Sequence, residues 1–448
     1  MITKDRFIRN DRKDHLSNST MHTYQHYCGM TVTIIPKPRF SEKFAALIVP
    51  FGSVHTRFRN WNAAGEPIDV PAGTAHFLNR CIFSAINAGG NDPLTNRFAA
   101  LGAETDVWTG HSYTMYTIKG VAHFVEAMRL AFDALLHPDF SETNLEKIRC
   151  AIETEQHFQQ DHPRYRAYRQ VMQNLFFKHG CRYDVTGDAA SLAQVGRGHL
   201  KAAYHHFYGL PDLGLVVAGD FDADMVNEIL DMVDSAAPDA PVRQPVMPVS
   251  PDEPPKTRCY GDTVTADVPN QMFMIGYKDP SVNAQTHSIG FNLLFKRVAG
   301  QLFLDTLIGP SAPLYETLYA QGVINDTFSC RYHREQDCSY VLISGESDCP
   351  EAAAEMVYDS LAEAIRNNRL DESLFTLQKQ VRAGRFIRSL DSVEATGLAA
   401  AHCRLNNVDL FEYSGSFMRI SLADTVQSMR FMMDPGVSTR VIVRKTKD

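Results

Sequence analysis

The stretch Gly73-Thr74-Ala75-His76-Phe77-Leu78-Asn79-Arg80 decides how this chain is read. Helix-borne zinc sites of the form H-x-x-E-H set two imidazoles four residues apart on one helix face, with a glutamate between them to take a proton from metal-bound water. His76 stands in the first ligand position, Asn79 in that of the general base, and Arg80 in that of the second ligand. A carboxamide accepts no proton near neutral pH, and a guanidinium has no lone pair to offer a metal. The pattern is a metal-binding helix whose chemistry has been substituted away.

By itself, a His before Phe and Leu on an apolar helix reads as a packed core histidine. The sequence downstream argues otherwise. Leu145, Ile148 and Ile152 recur at helical spacing, and Glu155 falls on the same inward face while Glu153 falls off it. Glu155 is followed by Asp161-His162-Pro163.

This order resembles the pitrilysin, insulinase and mitochondrial-processing-peptidase family, in which a distal Glu ahead of an Asp-x-Pro turn is the third zinc ligand. The resemblance implies that role for Glu155. It extends to Gly102-Ala103-Glu104-Thr105-Asp106-Val107-Trp108-Thr109, which is similar to the family's Gly-Ala-x-x-Asn-Ala-x-Thr strand beside bound peptide, with Asp106 in place of Asn. Thr105, Asp106, Val107 and Trp108 are thereby implied as peptide-binding residues. His137-Pro138-Asp139-Phe140, Tyr183-Asp184-Val185-Thr186-Gly187 and Gly214-Leu215-Val216-Val217-Ala218-Gly219-Asp220 resemble further family landmarks. Within the family the likeness is to bacterial cytoplasmic homologues encoded in pairs, which share a segment like residues 52–71 and a stretch like Gly384-Arg385-Phe386-Ile387-Arg388-Ser389-Leu390.

The resemblance implies an α+β fold of two homologous halves, each an antiparallel-rich sheet with helices on one side, closing like a clam. In such pairs a partner's second half supplies an Arg and a Tyr that bind peptide and steady the oxyanion. Tyr319 stands where that Arg would be and Asp326 roughly where the Tyr would be, with Arg331 and Tyr332 near enough to substitute. The implied function is that of a catalytically inactive subunit beside an active, zinc-bearing homologue, forming a heterodimer that handles peptide. A stand-alone peptide-binding or scaffolding protein is the alternative, and an enzyme using His76 and Glu155 with another metal is a weaker third reading. No metal or other cofactor is expected in this chain, with zinc confined to the partner. Arg80 is expected to replace the metal electrostatically, beside Glu155.

Composition agrees. A chain of 448 residues, 44% of them apolar, can fill two or three cores. A net charge of −8 carries no nucleic-acid footprint. No apolar run approaches the roughly 18 residues that cross a membrane, and residues 1–19 show no apolar signal region. A soluble, cytoplasmic protein is expected. The nine Cys are scattered without a C-x-x-C pair, so neither a disulfide framework nor a thiolate metal site is indicated.

The Pro-rich residues 235–258 read as a linker between a first half, 1–234, and a second, 259–448. Periodicity predicts strands near 22–27, 30–36, 44–51, 104–108, 112–118 and 213–218, with helices over 121–136, 142–160 and 164–179. The second half repeats the order, with strands near 267–276, 326–332 and 339–344 and helices over 295–307, 350–366 and 372–386. Other clusters receive plain readings. His402-Cys403 is a helix end, since helix neighbours do not face one another. His205-His206 is packing and surface, and Arg164, Arg166 and Arg169 form a solvated stripe. Ile308-Gly309-Pro310-Ser311 lacks phosphate-loop spacing.

Overall fold

The structure is a computed structural model that describes residues 6–14, 19–60, 66–83, 93–237, 246–282, 290–367 and 370–446. The first half runs β1 (Phe7–Lys13), β2 (Thr20–His26), β3 (Thr31–Pro36), β4 (Lys43–Val49), β5 (Arg57–Asn60), β6 (Ile68–Asp69), α1 (Thr74–Phe83), α2 (Pro93–Ala100), β7 (Ala103–Thr109), β8 (Thr114–Gly120), α3 (Phe124–Leu136), α4 (Glu142–Gln160), α5 (Pro163–Leu175), α6 (Ala189–Gln194), α7 (Arg197–Phe207), β9 (Gly214–Gly219) and α8 (Ala223–Ala236). The second half runs β10 (Val246–Pro248), β11 (Gly261–Ala266), β12 (Met272–Lys278), α9 (Gly290–Ile308), α10 (Pro313–Ala320), β13 (Ser329–Arg334), β14 (Ser339–Glu346), α11 (Pro350–Asn367), α12 (Glu372–Ser389), α13 (Val393–Leu405), α14 (Leu410–Arg419), α15 (Leu422–Ser428) and β15 (Ser438–Lys445).

The duplication lies in the strand order. The first sheet is ordered β1-β2-β3-β9-β4-β8-β7 and the second β11-β15-β12-β14-β13. In each, the last strand of the half inserts between an early strand, to which it is parallel, and the next, to which it is antiparallel: β9 between β3 and β4, β15 between β11 and β12. A hairpin then closes the far edge, β8-β7 in one and β14-β13 in the other. Two identical insertions of a distant strand are the signature of one α+β unit used twice.

The chain forms two compact units, neither contiguous in sequence: residues 1–154, 184–249 and 387–411 make the first, and residues 155–183, 250–386 and 412–448 the second. In the first unit, alternate residues of β4 face opposite ways. Ala45, Leu47 and Val49 enter the core with Phe77, Leu78, Phe124 and Phe132 of the helical layer. Phe44, one position over, faces α13, which lies on β4 and β9. A Cβ on Gly397 of α13 would stand 2.2 Å from Phe44 Cδ1, so only glycine permits this approach. In the second unit, Phe273, Ile275 and Tyr277 of β12 pack with Phe303, Val357 and Leu361, and α5 lies on β12 and β15.

Residues 238–245 of the Pro-rich stretch are outside the described residues. From 246 onward the stretch is anchored. β10 pairs with β5, and the Glu253 carboxylate accepts hydrogen bonds from the backbone N–H groups of Phe177, Lys178 and His179 at 2.8, 2.7 and 2.8 Å. The Lys278 ammonium donates to Glu253 at 2.5 Å and to the Pro254 carbonyl at 2.6 Å. Both side chains of the pair are buried. Burial pushes the Lys278 ammonium below its ordinary value despite its partner. Burial also opposes the Glu253 charge, yet Lys278 and the amide donors hold that carboxyl below its ordinary value. The ammonium's third acceptor is the Lys256 carbonyl at 3.3 Å, so all three of its N–H groups are used.

Candidate functional site

The site begins at Gly73, whose φ of 89° turns the chain into α1 in a conformation that side chains disfavour. A Cβ there would meet the Thr186 carbonyl oxygen at 2.5 Å, so the Tyr183-to-Gly187 loop sits directly against the helix start. Thr74 Oγ1 donates to the Pro71 carbonyl at 2.7 Å, and the Phe77 N–H donates to the Gly73 carbonyl at 2.9 Å. Phe77, Leu78, Cys81 and Ile82 then sink into the core. Arg149 of α4 lies over the Phe77 ring at 5.5 Å.

The opposite face carries the altered motif. His76 is buried, and the Arg80 Nε donates toward its Nε2 at 3.5 Å. This is the i, i+4 juxtaposition expected of one helix face, with a cation where a second imidazole would stand. Asn79 is buried and committed elsewhere: its Nδ2 donates to Thr109 Oγ1 at 2.8 Å. Thr114 Oγ1 in turn donates to the Phe51 carbonyl at 2.8 Å. Asn79 thus ties α1 to the end of β7. On α4, Ile148 and Ile152 are buried, Glu155 is half-buried and Glu153 is exposed, as the helical spacing predicts. Glu155 accepts from Gln159 Nε2 at 3.4 Å and opens a segment of the second compact unit.

A catalytic zinc centre needs three donors for the ion and a base for its bound water. The α1 face supplies one imidazole, a guanidinium and a carboxamide already used as a donor, a set that does not fit the ion.

Beside α1 runs β7, the edge strand of its sheet, which among the described strands pairs only with β8. Thr105, Val107 and Trp108 are half-buried and Asp106 is exposed. The Asp106 carboxylate turns back to accept from the Val107 N–H at 2.8 Å. Trp108 Nε1 donates to the Tyr113 hydroxyl at 3.4 Å, which faces His402 Nε2 at 3.0 Å. His402 Nδ1 lies 2.8 Å from the Leu398 carbonyl and must donate to it, which leaves Nε2 to bond the Tyr113 hydroxyl. Through Tyr113 the histidine props the edge strand from α13.

In the second unit Tyr319 is exposed and stacks on Tyr315, ring centroids 5.9 Å apart. Asp326 and Arg331 are exposed. Tyr332 does not substitute for a peptide-binding tyrosine: it is buried, its hydroxyl donates to Asp279 at 2.6 Å, and Arg334 donates to the same carboxylate oxygen at 2.8 Å. The Arg stripe on α5 is also not simply solvated. Arg164 donates to Ser329 Oγ at 3.0 Å and Ser344 Oγ at 3.2 Å, and Arg169 donates to the Arg182 carbonyl at 2.7 Å. His206 bonds its own helix at Ala202 and packs beside Phe58. One cluster escaped the sequence reading: His179, Cys181 and Cys338 converge in the second unit. Their separation along the chain left no spacing to detect.

The family model described as "Insulinase (Peptidase family M16)" matches residues 64–187, and that described as "Peptidase M16 inactive domain" matches residues 194–381. The chain is 24% identical over 397 residues to the uncharacterized zinc protease YmfH of Bacillus subtilis, covering 88% of this chain and 90% of that one. A second uncharacterized zinc protease of that organism, YmxG, is 22% identical over 172 residues, 38% of this chain and 42% of its own. The crystal structure of a putative M16-like peptidase from Alicyclobacillus acidocaldarius superposes with a TM-score of 0.84 at 24% identity, covering 98% and 99% of the two chains.

Proposed function

We infer from one premise, that this chain belongs to the insulinase and pitrilysin family of M16 peptidases, what its altered helix is for: the protein is a non-catalytic subunit that pairs with an active, zinc-bearing homologue in handling peptides. The observation that carries the reading is Arg80 Nε at 3.5 Å from His76 Nε2, a fixed cation in the second-ligand position. Asn79, bonded to Thr109, supports it from the base position. The edge position of β7 among the described strands supports retained peptide binding, because an extended chain can add to it as a further strand. Two related zinc proteases in one organism, YmfH and YmxG, support pairing of homologues. A cytoplasmic setting accords with nine Cys that are all free thiols; among the described residues no helix is long and apolar enough to cross a membrane.

The same edge strand favours the second reading, a peptide-binding protein without a peptidase partner. Co-expression separates the two. An intact H-x-x-E-H homologue from the same genome should co-purify in a one-to-one complex and cleave unfolded peptide only with this chain present. A candidate partner that is fully active as a monomer refutes the subunit reading, while labelled peptide binding to this chain alone would then support the second.

A further inference from the structure

Within the second unit, ligand atoms of His179, Cys181 and Cys338 all lie within 4.8 Å of one another. The three residues are 3%, 0% and 2% exposed, so water does not reach them freely. The two sulfurs stand 3.0 Å apart. His179 Nε2 faces Asp337 Oδ2 at 3.3 Å, and Nδ1 accepts the Cys181 N–H at 3.2 Å. The segment is held by the Glu253 carboxylate, which accepts the His179 N–H at 2.8 Å. His179 and Cys181 are therefore held on a fixed turn opposite the start of β14, with the His179 Nδ1 lone pair on the Cys181 side.

We propose that His179, Cys181 and Cys338 form a site for a soft divalent cation of the zinc class, bound by two thiolates and by the His179 Nδ1, which would exchange the Cys181 N–H for the ion, with a water taken up in the fourth position and Asp337 orienting the ring through Nε2. Thiolate and imidazole donors in a closed pocket select such an ion over magnesium or calcium. A carboxylate on the far nitrogen of a ligating histidine is the usual device for fixing its ring. Binding replaces the two thiol protons with one dication and releases both protons to solvent, leaving the pocket without net added charge. Two sulfurs on one tetrahedral ion at about 2.3 Å each lie roughly 3.7 Å apart, so loading must part them slightly from 3.0 Å. A disulfide would instead close them to about 2.05 Å, needs an oxidant, and leaves the histidine and Asp337 unexplained. The ion would staple the turn after α5 to the hairpin β13-β14.

The test uses full-length protein, stripped by chelator under reducing conditions and titrated with Co(II), then with Zn(II). One equivalent of Co(II) should bind with a sulfur-to-cobalt charge-transfer band, and Zn(II) should displace it. Cys181→Ser and Cys338→Ser should each abolish the band, Asp337→Asn should keep it while weakening binding roughly 10- to 100-fold, and His76→Ala should leave it unchanged, which separates this site from the α1 face. The wild-type titration decides even if a variant misfolds: no sulfur-bound cobalt overturns the proposal. So does a Cys181–Cys338 disulfide found by mass spectrometry in freshly isolated protein, or uptake that survives both Cys substitutions.

Discussion

The decisive perturbation of the α1 face is a graded replacement of Arg80. Zinc bound at about 2.1 Å from His76 Nε2 would stand no more than roughly 5 to 6 Å from Arg80 Nε, since that nitrogen is itself 3.5 Å from Nε2. A dication and a guanidinium about 5 Å apart repel by roughly 2 kcal/mol at the dielectric of water and about 7 kcal/mol at an effective value near 20. Arg80 is half-buried, so the repulsion falls between these limits, and Arg80→Ala should raise zinc affinity by roughly 10³-fold. Arg80→His should gain more, because it adds a ligand as well as removing a charge. Asn79→Glu alone should gain little, since it supplies a base and no metal position. The double variant Asn79→Glu with Arg80→His should bind zinc with both the ligand and the base in place, while Asp106 and Tyr319 still depart from the family pattern. The assay is competition against a chromogenic zinc chelator in a Cys181→Ser, Cys338→Ser background, so that only the helix face is read. Parent protein that already binds one zinc through His76, or Arg80→Ala and Arg80→His variants with affinity no better than the parent, would refute the reasoning.

Two further outcomes follow from packing. Lys278→Met should destabilise the fold by about 3 to 5 kcal/mol in chemical denaturation, because it strands a buried carboxylate; a loss under about 1 kcal/mol would show that the three amide donors suffice. Glu253 has a folded pKa below its ordinary 4.5, so its contribution is present above that value and lost as pH falls through the lower folded value; Glu253→Gln should flatten that acid limb of the stability curve. Gly73→Ala should cost at least about 1 to 2 kcal/mol for a left-handed conformation, and more for the clash with Thr186, read as a fall in the unfolding midpoint; an unchanged midpoint would mean the loop at 183–187 gives way freely.

What could be read from the sequence was local. The i, i+4 relation of His76 and Arg80 and the inward position of Glu155 follow from helical geometry alone, and the structure places all three residues accordingly. The strand at 44–51 was legible as a short apolar run and that at 112–118 as a stretch rich in Thr, Tyr and Ile, and they stand as β4 and β8. β1 was not, because Phe7–Lys13 is mostly charged and exposed and is held by pairing with β2 rather than by burial. The insertion of β9 and β15 between earlier strands is non-local and leaves no trace in periodicity. Tyr332 looked available because its strand position does not reveal which face is buried; Asp279, far away in sequence, claims its hydroxyl. The thiol cluster is the same case with more at stake. Cys181 lies beyond α5 and Cys338 just before β14, and α5 belongs to the sheet of the second unit although it is encoded in the first half. The turn that follows that helix brings His179 and Cys181 into the second unit with it, so a donor set that no spacing rule can detect arises from a segment encoded in one half and packed with the other.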